Sequence, residues 1–327
     1  MNSPYTNYIV QTSNTVDVEV LESKWKNLTK DIDTLTFFHS WEWISTWLEL
    51  YQPDILLASV SLQGETVALG LFGRSVEQRH RVLRSRQLRL FQTGDCNKDQ
   101  IWVEFNDIIA RPEHLEGARQ ACISALLSGD PACDEIVLSM MPRSHSDGVL
   151  RAYPQAEISL SSPRYRTDLM ELAKTHASYL SSLKRNTRYQ INLSRRRYES
   201  SYGALRLDFA DSGRQALEYF AQAGRMHIDR WSDSGFLNRD FVDFHTRFIE
   251  KYFDSGLVDI ARITAGNHIV AIIYNIIFNQ NVYFYLQGVQ PEPDGKLKPG
   301  LTAHAMLIEH YLDKNMKSYD FMGGYSQ

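Results

Sequence analysis

At 327 residues and a formal net charge of −4, the sequence is long enough for two cores and too acidic to hold nucleic acid through overall charge. Its 43% hydrophobic content excludes a disordered chain, and the longest apolar run, Ile269–Phe278, is interrupted by Tyr274 and Asn275 and falls far short of a bilayer span. Cys96, Cys122 and Cys133 are odd in number and lack CxxC or Cys/His metal spacing, and Met1–Thr15 has no apolar signal core. Reduced thiols, a cytoplasmic location and no metal are therefore expected.

In the first half, Ser40–Leu50 has helical periodicity with Ser40 as N-cap and Trp43, Trp47 and Leu50 on one face. Ile55–Leu62 and Thr66–Phe72 flank Gln63-Gly64-Glu65 as a β-hairpin. Leu88–Gln92, Gln100–Phe105 and Asp134–Met140 are strand candidates, and Pro112–Leu127 is a helix with Pro112 and Glu113 at its start. Met141–Arg166, with three prolines and several serines, reads as a linker between residues 1–150 and 165–327.

The second half repeats the rhythm. A strand at Arg166–Met170 precedes a long helix from about Thr175 to Tyr198, a strand Leu205–Phe209, and helices near Ser212–Arg230 and Arg239–Asp254. Leu257–Thr264, His268–Phe278 and Asn281–Val289 form an antiparallel meander with turns at Ala265-Gly266-Asn267 and Gln280-Asn281. Then come the loop Pro291–Gly300, a helix Leu301–Asn315 and a last strand Ser318–Met322. A Gly-bearing loop that feeds a helix straight after a strand offers unpaired N–H groups and a positive dipole end. With Lys296 and Lys298 beside it, this junction suggests a phosphorylated ligand.

Several segments together resemble the FemAB-like branch of the GNAT superfamily of N-acyltransferases, which includes CelD-type proteins of exopolysaccharide gene clusters. They are Leu183–Asn192, His227-Ile-Asp-Arg-Trp231, the Gly256-Leu257 start of a strand, Lys298-Pro-Gly300 and Tyr319-Asp-Phe-Met-Gly-Gly324, with Phe38–Trp43 in the first half. The resemblance covers residues 165–327. It implies an α/β (α+β) chain of two tandem GNAT-like domains with mixed, mostly antiparallel sheets. Relatives usually run on past the Asp-Phe…Gly segment, so a sequence ending at Gln327 is expected to lack a last strand or to be cut short.

The resemblance also implies transfer from acyl-CoA, used as co-substrate with no tightly bound cofactor, to an amine that attacks the thioester directly. The Arg-x-x-Gly-x-Gly signature of ordinary GNAT enzymes is absent. In this scheme Gly295, Lys296, Lys298 and Gly300, with the amides of Leu301 and Thr302, cradle the pyrophosphate. His227, one turn from Arg230, is a base or substrate ligand beside Trp231, or a carbonyl-capping histidine. Asp320 takes the ammonium proton or pairs with Arg230 or a backbone amide. Tyr283 and Tyr285 share a strand face, where one phenol protonates the leaving thiolate or both pack. His304 and His310 read as ordinary solvent or core residues.

Lys184, Arg185, Arg188, Arg195, Arg196 and Arg197 crowd one helix: a solvated face, a site for donor or acceptor phosphates (Arg188 foremost), or a tRNA contact as in the Fem peptidyltransferases. The leading expectation is an N-acyltransferase acting on an amino sugar, amino acid or similar small amine, without nucleic acid. An aminoacyl-tRNA-dependent transferase and a catalytically silent ligand-binding protein are the alternatives.

Overall fold

The computed structural model describes residues 7–79, 83–129, 133–175 and 178–323. These form two units, Met1–Ser161 and Ser162–Gln327, each built on a six-stranded mixed sheet.

In the first unit β1 (Ile9–Ser13), β2 (Ile55–Leu62), β3 (Glu65–Arg79) and β4 (Leu83–Leu90) run antiparallel. β5 (Ile109–Ala110) pairs with β3, and β6 (Glu135–Val137) lies parallel to β4. Gln63 and Gly64 both take positive φ (53° and 87°), as a two-residue hairpin turn requires. Helices α1 (Val18–Thr29), α2 (Trp41–Tyr51), α3 (Leu115–Gly129) and α4 (Arg143–Ala152) complete the unit. Ser40 caps α2 by accepting from Trp43 N, and Trp25, Trp43, Trp47, Phe37 and Phe38 are buried. Leu50, expected on that apolar face, is 37% exposed. The expected strand Gln100–Phe105 is instead a 3-10 turn, Lys98–Ile101. The expected linker holds α4, whose start leaves the Pro142 amide, missing in any case, at the cap.

The second unit follows β7 (Arg164–Asp168) with α5 (Leu169–Thr175), α6 (Tyr179–Ser182) and α7 (Arg185–Tyr202), where one long helix is expected. The helix is broken because Ser178 opens a capping box with Ser181, and Leu183 and Lys184 then take extended ψ of 151° and 147°. Next come β8 (Leu205–Phe209), α8 (Gly213–Ile228), α9 (Arg239–Tyr252), β9 (Val258–Ala265), β10 (His268–Phe278), β11 (Asn281–Val289), α10 (Pro299–Asp313) and β12 (Ser318–Gly323). The sheet order is β7-β12-β11-β10-β9-β8, with β12 parallel to β11 and its other neighbours antiparallel.

Apolar residues on alternate positions of β9, β10 and β11 meet Ala303, Leu307 and Ile308 of α10 in one core. On the other face α8 lies so close to β11 that a Cβ at Gly288 would stand 2.6 Å from the Ala223 carbonyl oxygen. That contact fixes the strand's height under the helix. The mixed, mostly antiparallel sheets expected for each half are both present.

Candidate active site

The second sheet comes apart between its two parallel strands. β11 and β12 pair only at Asn281↔Ser318, Val282↔Tyr319 and Tyr283↔Asp320. From Phe284 to Val289 β11 continues with β10 alone, and Tyr285 is the extra residue of a bulge, since Phe284 pairs with Asn275 and Leu286 with Tyr274. A bulge sharpens the local twist and turns the strand from its neighbour. β12 bends at the same level: Asp320 Oδ1 accepts from Met322 N at 2.9 Å, and Met322 takes φ of 62°. The result is a fork. Among the described residues, one edge of β11 beyond Tyr283 has no strand partner, and an edge of this kind can take an extended segment alongside it.

β11 leads from the fork into the loop and α10. α7 holds this loop in shape. Tyr198 Oη donates to Glu292 Oε1 at 3.1 Å, His268 Nε2 lies 2.8 Å from the same oxygen, and Arg197 Nη1 donates to Asp294 at 2.9 Å. Buried Leu297 anchors the apolar side, while Lys296 and Lys298 extend outward, exposed. An added Cβ at Gly295 would meet nothing within 4 Å, so the outer side of the loop is open.

The expected cradle needs correction. Thr302 N donates to the Lys298 carbonyl at 2.9 Å, and the buried Thr302 hydroxyl shares a 2.8 Å hydrogen bond with Ser194. The Lys296 and Lys298 amides also turn inward, to Asp294 Oδ1 and Ser194 Oγ, each at 2.9 Å. Gly300 and Leu301, at the second and third positions of α10, keep amides that helix geometry leaves without an intrahelical acceptor.

The remaining predicted residues do not converge. His227 closes α8, its Nδ1 2.8 Å from Ser234 Oγ; partial burial lowers its pKa, Asp233 opposes the shift and Arg230 adds to it. The Arg230 guanidinium stacks over Trp231 at 5.5 Å, and both side chains face solvent. Asp320, with a side chain 1% exposed, pairs with Arg164 of β7 and not with Arg230. His227 and Asp320 thus each have a partner of their own, Ser234 and Arg164, and no contact joins the two among the described residues.

Tyr285 packs its ring 4.6 Å from His245 and 5.6 Å from Tyr274. Tyr283 is buried beside Asp320; burial first, then that carboxylate, push its phenol up to about 12, which keeps the proton on oxygen. Arg188 turns back to the Ser181 and Leu183 carbonyls at 3.5 and 3.4 Å, which makes it a brace between α6 and α7 rather than a free cation.

His304 is the residue that sequence reasoning passed over. It lies on α10 one turn after Gly300, and its ring stands 4.6 Å from Phe284 and 5.0 Å from Phe321, the first residue of each strand beyond their last shared pair. The i,i+4 spacing from Gly300 is the signal that could have found it. Among the described residues no group of three or more His, Cys, Asp or Glu is placed to hold a metal ion, and no helix is long and apolar enough to cross a membrane.

Comparison with known proteins agrees with this geometry. The family described as acetyltransferase (GNAT) domain matches residues 185–327, the part that contains the fork, loop and α10. No curated protein sequence matches the chain. Among solved structures, FemX is similar with a TM-score of 0.59 at 10% identity, over 97% of this chain and 89% of that one. A conserved protein of unknown function from Bacteroides thetaiotaomicron gives 0.54 at 12% identity, over 96% and 90%. L-PGS from Bacillus licheniformis gives 0.53 at 10% identity, over 93% and 76%. The fold of these structures thus extends through both units, and the second unit carries a GNAT domain that makes the chain an acyltransferase.

Proposed function

We propose that the chain moves an acyl group from acyl-CoA to the amine of an amino sugar, amino acid or similar small acceptor, by direct attack of the amine on the thioester. The observation that carries this reading is the fork: two parallel strands that part after Tyr283 and Asp320 and lead into a preformed loop with two exposed lysines and the α10 dipole end. The edge suits an extended amide-bearing arm, and the lysines with the Gly300 and Leu301 amides suit a pyrophosphate. Binding both ends of the donor fixes the thioester for attack, and positioning of this kind supplies much of the rate in a reaction without a covalent enzyme intermediate. A place beside surface-polysaccharide synthesis, as in CelD-type proteins, follows from the resemblance.

Titration calorimetry with CoA and acyl-CoAs of several lengths tests this. Micromolar binding that weakens about 5- to 150-fold in Lys296→Ala/Lys298→Ala is expected, the equivalent of about 1–3 kcal/mol for charge-assisted contacts. Unchanged affinity in the double variant would assign both lysines to ordinary solvated surface.

One observation favours a second reading. Lys184, Arg185 and Arg196 of the α7 region are exposed, and aminoacyl-tRNA is the donor that such a surface would take. Arg188 and Arg197, however, are engaged within the unit, which leaves a smaller basic surface than the sequence suggests.

A further inference from the structure

A row of buried polar side chains runs beneath the second sheet and ends at the fork. Tyr311 Oη donates to Asp259 Oδ2 at 2.8 Å and accepts from Asn275 Nδ2 at 3.0 Å. Asn275 Oδ1 accepts from Tyr319 Oη at 3.5 Å, the longest link, and Tyr319 Oη lies 2.9 Å from His304 Nδ1. Asn275 and Tyr319 are 0% exposed and Tyr311 2%, so water does not compete for these groups.

The direction of the row is fixed at its far end. Above the raised Asp259 value of about 6 this group is a carboxylate and only accepts, so Tyr311 donates to it; the Tyr311 oxygen then accepts from the Asn275 amide nitrogen, and the Asn275 carbonyl accepts from Tyr319. Tyr319 has spent its single proton and can only accept from His304. That requires the proton of the neutral imidazole to sit on Nδ1. Nε2 then carries a lone pair, and it has no protein partner among the described residues.

We infer that the row Asp259–Tyr311–Asn275–Tyr319 holds His304 in the Nδ1–H tautomer, so that Nε2 takes the proton shed by the attacking amine at the mouth of the fork. The inference rests on the reading of the fork as an acyl-donor site. In the step, the amine lone pair forms a C–N bond to the thioester carbonyl carbon. The C–S bond breaks and its electron pair leaves on sulfur. The ammonium proton passes to Nε2 and from there to the thiolate, giving an amide and a free thiol. Burial pushes the His304 pKa down to about 4, so the imidazole is neutral when the amine arrives, and the Nδ1–H bond to Tyr319 is what leaves its Nε2 lone pair unprotonated. Phe284 and Phe321 flank the ring, 4.6 and 5.0 Å away. Tyr319, Asn275, Tyr311 and Asp259 are positioning residues in this arrangement, as the orienting groups of other bases are.

The test is nitrogen NMR on the full chain with ¹⁵N-labelled histidine, with His304 assigned by the signals lost in His304→Gln or, should that variant fold poorly, His304→Asn. Wild type is expected to show protonated Nδ1 and bare Nε2, and Tyr319→Phe, which cannot accept, is expected to move the proton to Nε2. A wild-type Nε2–H tautomer, or one indifferent to Tyr319→Phe, would overturn the row. Addition of acetyl-CoA should shift the Nε2 resonance. Binding seen by calorimetry with no such shift would remove His304 from the reacting centre while the donor reading stands. No binding by calorimetry would overturn the donor reading and with it the role of His304 as base, whatever the tautomer. With a panel of primary amines, His304→Gln is expected to lower thiol release from acetyl-CoA by roughly 10²–10⁴-fold at unchanged acetyl-CoA affinity. Full activity in that variant would overturn the base assignment.

Discussion

Each unit has one parallel strand pair with a helix between its strands in sequence, β4 and β6 in the first (with β5 also between them) and β11 and β12 in the second, and only the second pair opens. In the first unit β4 and β6 pair at Gln87↔Glu135, Leu88↔Ile136 and Arg89↔Val137, at the very end of β4, with Leu90 alone beyond. β5 then takes up the neighbouring edge of β3 at Ala68↔Ala110 and Leu69↔Ile109. In the second unit an equally short ladder lies at the start of β11 and, among the described residues, β12 does not follow β11 past Tyr283. The helix starts differ too. Near the start of α3, buried Arg119 pairs with Asp107 at 3.0 Å, and His145 Nδ1 lies 2.9 Å from the same carboxylate without hydrogen-bond alignment. Near the start of α10 stand an open Gly295, exposed lysines and His304. A site in this architecture thus depends on where the parallel ladder stops and on what occupies the helix start, and topology alone does not provide it.

The largest effect should come from removing the filler of the closed unit. Arg119→Met leaves the Asp107 carboxylate buried without its cation, and breaking a buried pair in this way costs about 3–5 kcal/mol. Urea unfolding should show that loss, and Asp107→Asn in the same chain should recover part of it. Acetyl-CoA affinity of the folded fraction should stay as in wild type. If it falls in step with stability, the first unit takes part in donor binding and the contrast between the units fails.

A pH-dependent effect belongs to the second unit. Burial raises the Asp259 carboxyl from 3.8 to about 6, with the Tyr311 hydrogen bond opposing. A group raised in the fold contributes stability that is complete below its ordinary pKa and is lost as pH rises through the folded value, here on the order of 3 kcal/mol. Buried His245, lowered to about 3 by burial, acts in the opposite sense: its contribution is present above the ordinary histidine range and is lost as pH falls. Asp259→Asn keeps an acceptor for Tyr311 and removes the charge. Its stability relative to wild type should therefore rise as pH increases from about 4 to about 7, over the interval set by the two pKa values. A difference independent of pH would show that Asp259 is ionised without penalty, through contacts other than Tyr311.

How much of this could be read from the sequence differs between the units in the same way. In the second, β10, β11 and β8 begin and end where their apolar runs and turns predict, because each strand is bounded by residues that tolerate positive φ, such as Gly266, Asn279 and Gln280. β1 and α1 of the first unit escaped notice because they are mostly polar and exposed, with only Leu21, Trp25 and Leu28 of α1 buried. The loop, its lysines and the following helix were legible from local order. The partner of Asp320 was not, since Arg164 lies 156 residues away and no local pattern links them. Nor was the service of the basic helix as a clamp on the loop, where Arg197 and Tyr198 reach Asp294 and Glu292. His304 gains its meaning only from the place where two strands separate, a tertiary fact.

A smaller effect tests the open side directly. Lys296→Ala with Lys298→Ala should weaken CoA by about 1–3 kcal/mol in calorimetry, with melting temperature unchanged because exposed charges add little to stability. By contrast Asp320→Asn should leave CoA affinity alone and lower stability, since it weakens the buried pair between β7 and β12. Lost turnover at wild-type stability in that variant would return Asp320 to the chemistry.

The smallest effect is expected at the basic helix, and it separates two donors. Lys184 and Arg185 stand at the start of α7, where cations oppose the helix dipole and no acidic residue offsets them. Reversal of both to Glu should therefore raise stability slightly, by about 0.3–1 kcal/mol per residue, if nothing anionic uses them. A polyanion held there would change the result: binding would fall steeply with salt in wild type, in proportion to the phosphates neutralised, and would vanish in the reversed variant. With a net charge of −4 and with Arg188 and Arg197 already engaged, no submicromolar affinity for total tRNA is expected at about 0.15 M salt. Tight, salt-sensitive binding that the reversal abolishes would make the basic helix a donor surface in its own right, and the open fork would then have to be read as the place of an aminoacyl end rather than of CoA.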